Sequence, residues 1–139
     1  MRKTFYRLFT LTAVIMTCML YASAIEFSDV QSNSWYKDYV DYAAKNGLIN
    51  GTGDGYFSPD KEFTVAQCLT VAARIHSSQF GKELTEYSGE NWYDCYKDYC
   101  IDNKIISPQQ FSGNFNRSIT REETVNVLIN AVRNDFISK

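Results

Sequence analysis

The chain has 139 residues, with 14 basic and 16 acidic side chains and a formal charge of −2. An acidic balance excludes nucleic acids and anionic membrane surfaces as natural partners, because both call for clustered Lys and Arg. The length allows one compact domain and is too short for two independent cores.

Residues 1–24 read as an export leader. Arg2, Lys3 and Arg7 form a basic start, Leu8 to Leu20 is almost wholly apolar, and Ala22-Ser23-Ala24 has the small-residue pattern of a cleavage site. The apolar run is shorter than the roughly 20 residues that span a bilayer, so no transmembrane span is expected. Three basic and no acidic residues fall in this leader, which leaves a mature charge of −5.

A first helix is predicted from Trp35, Tyr39, Val40, Ala43, Ala44 and Leu48, which step by three and four, with Ser34 as N-cap and Gly47 as stop. The Gly, Asn, Asp and Pro of residues 50–59 then mark a tight loop. A second helix follows with Val65, Cys68, Leu69, Ala72, Ile75 and His76 along one side. Thr64 and Gln67 form a capping box at its start. Residues 81–90 are a polar linker. A third helix is expected from about Asn91 to Lys104, then a loop through Pro108, Gly113 and Phe115. The last helix, from Thr120 to about Asn134, has a second capping box in Thr120 and Glu123 and an apolar stripe of Val125, Leu128, Ile129 and Val132. Trp35 and Trp92 head apolar stripes and are expected in the core.

The second half rewrites the first. Trp35-Tyr36-Lys37-Asp38-Tyr39 returns as Trp92-Tyr93-Asp94-Cys95-Tyr96, and Leu48-Ile49 as Ile105-Ile106, at an offset of 57 residues. Such a period implies supersecondary units that share a core, so the expected fold is all-α, with two helix-loop-helix repeats packed together. The expected boundaries are 25–80 and 91–135.

Mature cysteines are Cys68, Cys95 and Cys100, an odd number. Cys95 and Cys100 lie five apart on a helix and face different ways, so no bond between them is expected. The lone His76 reads as structural, and no Cys or His cluster has metal-ligand spacing. Asn50, Thr52, Asp54, Gly55 and Ser58 fall at calcium-loop positions, but Lys61 stands where a bidentate Glu is required. No nucleophile with its base and no phosphate-binding Gly loop is evident, so no enzyme, cofactor or metal is expected.

Phe27-Ser28-Asp29-Val30, Trp35, Gly47 to Gly51, Asp54 to Pro59 and Phe63 to Gln67 together resemble a surface-layer homology repeat. Trp92 to Val132 is similar in a degenerate form. The resemblance implies a non-catalytic anchoring module that binds an acidic, pyruvylated secondary cell-wall polysaccharide and is retained at the cell surface. The alternative is an exported interaction protein whose partner is another chain of this kind or a second copy of itself. The glycan-binding residues it implies are Arg121, Gly51, Gly55, Asp29 and Trp92. Arg121 carries the role of the Arg in the family's Thr-Arg-Ala-Glu helix start, where free backbone N–H groups and a guanidinium fork both favour a carboxylate. Val65 stands at that position in the first repeat, so a single composite groove is expected, made from the Gly51 to Gly55 loop and Arg121.

Overall fold

A computed structural model describes residues 26–85, 89–111 and 113–133. The leader expected over 1–24 lies outside these residues. Among the described residues the fold is all-α: four helices and two isolated β-bridges, Gly53 with Tyr56 and Thr64 with Ser118. We label the helices α1 (Lys37–Lys45), α2 (Val65–Phe80), α3 (Asp94–Asp102) and α4 (Arg121–Val132). None is long and apolar enough to cross a membrane.

Local chemistry sets the helix ends. Both capping boxes form: Thr64 Oγ1 accepts from Gln67 N–H while Gln67 Oε1 accepts from Thr64 N–H, and Thr120 and Glu123 repeat the exchange. α2 stops at Gly81, whose φ of 64° is left-handed. α1 and α3 start without a side-chain cap, each after a turn in which a backbone N–H bonds the carbonyl three residues back: Lys37 to Ser34, and Asp94 to Asn91. They also end alike. Asn46 and Asn103 have (φ, ψ) of (−91°, 8°) and (−90°, 9°), and each side-chain amide donates to the carbonyl four residues earlier. The next residue is left-handed in both, Gly47 at φ 69° and Lys104 at 59°. For Lys104 that conformation costs about 1–2 kcal/mol, and Gly47 is free of the penalty.

α2 lies at the centre and packs on both α3 and α4. Its buried Val65, Cys68, Leu69, Ala72 and Ala73 form one core with Tyr99, Cys100, Ile105, Phe111, Val127 and Ala131. His76 is buried at the end of this face, its Nδ1 2.9 Å from Tyr99 Oη. Cys68 and Cys100 are free thiols, and burial pushes both up to about 12. α1 builds a smaller cluster of its own: Phe27, Val30, Val40 and Ala44, flanked by Tyr36, Ile49 and Phe57.

The segments leading into α2 and α4 lie side by side, with Ile119 N–H donating to Phe63 O at 2.9 Å. The first two amides of α2 are also taken. Val65 N–H donates to Arg117 O at 3.1 Å and Ala66 N–H to Phe115 O at 2.8 Å.

Two expectations from periodicity are overturned. Trp35 and Trp92 are 84% and 52% exposed, so neither is a core residue. Both precede the first helical residue, so they leave the helical period; each ring packs edge-on against the next tyrosine, Tyr36 or Tyr93. Of the expected α4 stripe, Val125, Ile129 and Val132 are also exposed, and only Leu128 packs on the core. α4 turns Val127 and Ala131 toward α2 instead, because it carries apolar residues on two faces and only one meets the core.

Candidate functional site

An open groove of about 830 Å³ lies between α1, the loop of residues 48–63, α2 and the start of the α3 unit. Tyr39 of α1 and Trp92 ahead of α3 supply aromatic walls. Gln67, Thr70, Val71 and Arg74 of α2 line it from a third side.

The loop is shaped by close backbone approaches and a few polar ties. Gly51, at φ 76°, comes so close to Phe27 and the Tyr56 carbonyl that a Cβ would lie 2.5 Å from Phe27 Cε1 and 2.4 Å from Tyr56 O. Asp29 ties the loop down from outside the groove. Its Oδ1 accepts from Phe57 N–H at 2.8 Å and its Oδ2 from Ser58 N–H at 2.6 Å. The Phe57 N–H is the main reason the carboxyl sits below its ordinary range. Gly55 is exposed at the tip, where its carbonyl accepts from Ser28 N–H at 2.9 Å. Thr52 and Ser58 share a hydroxyl hydrogen bond of 2.7 Å, so a turn accounts for residues that fall at calcium-loop positions.

Arg74 is the groove's central cation. Its Nη1 donates to Leu48 O at 3.3 Å and its Nη2 to Tyr96 Oη at 3.2 Å, with the guanidinium carbon 5.4 Å from the Tyr96 ring centre. With the Asn50 amide assigned so that its nitrogen donates to Ile49 O, its oxygen accepts from Arg74 Nη2 at 3.2 Å. All of these partners are neutral. Among the described residues no carboxylate forms an ion pair with Arg74 or with Lys61, the other cation on the wall. A half-buried, preoriented guanidinium beside two aromatic faces suits a ligand with a carboxylate and an apolar sugar face.

The sequence-expected residues therefore separate. Gly51 and Trp92 line the groove. Asp29 and Gly55 act beneath and beside it by holding the loop. Arg121 is exposed in the first turn of α4 and does not line the groove, so the cation beside the Gly51 loop is Arg74 and not Arg121. The start of α2 offers no anion site either, because two of its amides serve Arg117 O and Phe115 O. Sequence reasoning missed Arg74; the one signal was a guanidinium set between Ala73 and Ile75, in a helix with no other Lys, Arg, Asp or Glu.

At the start of α4 the strong pair is Arg117 with Glu123, bidentate at 2.5 and 3.0 Å. Arg117 leads the causes that hold Glu123 at about 2, against an ordinary 4.5. A carboxylate depressed in the folded state stabilises above its unfolded value, and that contribution fades as the pH falls toward the folded one. The denaturant midpoint should therefore drop between about pH 4.5 and pH 2, with Asp94, held at about 2 by Lys97, adding to the fall. Glu123→Gln, which keeps the capping geometry seen with Gln67, should flatten that profile in urea titrations; an unchanged slope would refute the assignment.

Residues 26–67 match the family model of the S-layer homology domain. The surface-layer 125 kDa protein of Lysinibacillus sphaericus is 23% identical over 118 residues, covering 79% of this chain and 10% of that protein. Endo-1,4-beta-xylanase A of Thermoanaerobacterium saccharolyticum is 28% identical over 102 residues, covering 71% of this chain and 9% of the enzyme. The S-layer protein sap of Bacillus anthracis is 29% identical over 75 residues, covering 52% and 9%. The chain thus spans about a tenth of each of these relatives. No solved structure matches it.

Proposed function

We propose that the chain is a non-catalytic anchoring module, exported and retained at the cell surface, whose groove binds an acidic, pyruvylated cell-wall polysaccharide. It is built from two S-layer homology units, residues 25–80 and 91–135, the second degenerate. The paired helix ends at Asn46 and Asn103 and the two capping boxes support the duplication. The relatives support a module separable from catalysis. Proteins named for surface layers and one named as a xylanase each match this chain over about a tenth of their length.

The observation that carries the proposal is the groove itself: Arg74, with only neutral partners, lines it together with the exposed rings of Tyr39 and Trp92. The guanidinium takes the ketal carboxylate, and the rings cover the sugar face and the pyruvyl methyl. Sedimentation with purified sacculi tests this, with and without their polysaccharide stripped. Stripping should abolish binding. Arg74→Lys should weaken it about 10-fold, as expected when a forked, charge-assisted contact worth about 1.5–3 kcal/mol becomes a single point charge. Trp92→Ala should weaken it comparably, and Arg121→Ala should weaken it less than either. Retention that survives stripping would overturn the glycan assignment in favour of a protein partner.

A further inference from the structure

The outward face of α4 carries Val125, Ile129 and Val132 at positions i, i+4 and i+7, each 45–53% exposed. That spacing places them in one apolar stripe. Fifty-six residues earlier, the same positions on α2 are Leu69, Ala73 and His76, all buried against α3 and α4.

α1 shows the complementary situation. Trp35, Tyr39 and Tyr42 form an aromatic stripe that is 67–84% exposed. Fifty-seven residues later stand Trp92, Tyr96 and Tyr99, the same three residue types in the same order. There Tyr99 is buried in the core beside His76, Tyr96 accepts from Arg74 of α2, and Trp92 reaches over α2 at the groove. The joint between α2 and α3 is thus made from two faces whose counterparts both stand open to solvent.

We propose that the chain associates head to tail with a second copy of itself, α4 of one copy packing on α1 of the next as α2 packs on α3 within one chain. This rests on the duplicated-unit reading given above, and it shares Tyr39 with the wall of the groove. A second copy is the occupant that fits, because the segment from Trp35 to Tyr42 carries the same aromatic triad that the segment from Trp92 to Tyr99 uses against α2.

The docking also completes a second site. Asn130 Nδ2 donates to Ile105 O at 3.0 Å, which repeats at a distance of one unit the Arg74 contact with Leu48 O. The partner's Trp35 would stand over this second floor as Trp92 stands over the first. Unlike faces meeting in this way give a heterologous contact, which propagates as a ring or a filament and does not stop at a symmetric dimer.

Sedimentation velocity over a concentration series tests the proposal on the purified, processed protein and two variants, Ile129→Asp and Tyr42→Asp. Both positions are exposed, so each variant should keep the helical circular dichroism of the parent. The parent should form concentration-dependent species of dimer mass and above. Each variant alone should remain monomeric. Their equimolar mixture should give a two-fold mass increase and nothing larger, because one intact α1 face meets one intact α4 face and both outer ends are blocked. A monomeric parent, an assembly that persists in either variant alone, or a mixture that stays monomeric would each overturn the proposal. Ile129→Asp should still sediment with sacculi, which separates failure of this contact from failure of the glycan reading.

Discussion

Leu69→Ala lowers the unfolding free energy by about 2–5 kcal/mol, the range for emptying a fully enclosed leucine site. Leu69 has no exposed surface, and it sits where α2 meets both α3 and α4, among Cys68, Ala72, Cys100, Ile105 and Val127. Its neighbours have little freedom to close the gap. Ala72 and Ala73 have no side chain with which to reach across, and Cys100 Sγ is engaged with the Leu69 carbonyl at 3.5 Å. The loss should appear as a lower urea midpoint at unchanged slope. A change below about 1 kcal/mol would show that the site collapses, contrary to the packing described, since such collapse sets the low end of the range.

Gly51→Ala produces the second large effect, and a local one. The residue's φ of 76° is left-handed, which costs a non-glycine residue about 1–2 kcal/mol. The added methyl would also lie 2.4 Å from a backbone carbonyl and 2.5 Å from the ring of Phe27. Phe27 is itself buried, so neither neighbour yields without loss, and overpacking adds about 1–3 kcal/mol. Gly55 provides the control. It has a similar φ of 77° and nothing within 4 Å of the place a methyl would take, so Gly55→Ala carries the backbone cost alone. Amide exchange should show the Phe27, Val40 and Phe57 cluster opening in the Gly51 variant while the α2 core keeps its protection. Equal losses in both variants would refute this steric account.

What was legible in the chain was what is decided within a few residues. Thr64 with Gln67 and Thr120 with Glu123 identify two helix starts because each exchange needs only one turn of backbone. The 57-residue echo pointed to helical units, and the asparagines that end α1 and α3 adopt nearly the same geometry. What escaped depends on which face meets which neighbour. Val125, Ile129 and Val132 have the period of a buried stripe, and their counterparts on α2 are buried, yet nothing local says that α4 turns Val127 and Ala131 inward. Trp35 and Trp92 were misplaced because apolar character was extended into a turn ahead of the helix. Arg74 stayed hidden for a third reason: its significance comes from Leu48 and Tyr96, which lie 26 and 22 residues away.

The amides at the start of α2 have a bearing on how the molecule melts. A helix from the front half is finished by carbonyls of Phe115 and Arg117 in the back half, and its apolar side is covered by elements beyond Asp94. Neither half can come apart and leave the other whole, because loss of either strips hydrogen-bond acceptors or core from α2. α2 is thus bound into one cooperative body with the back half, and only the α1 cluster can open by itself.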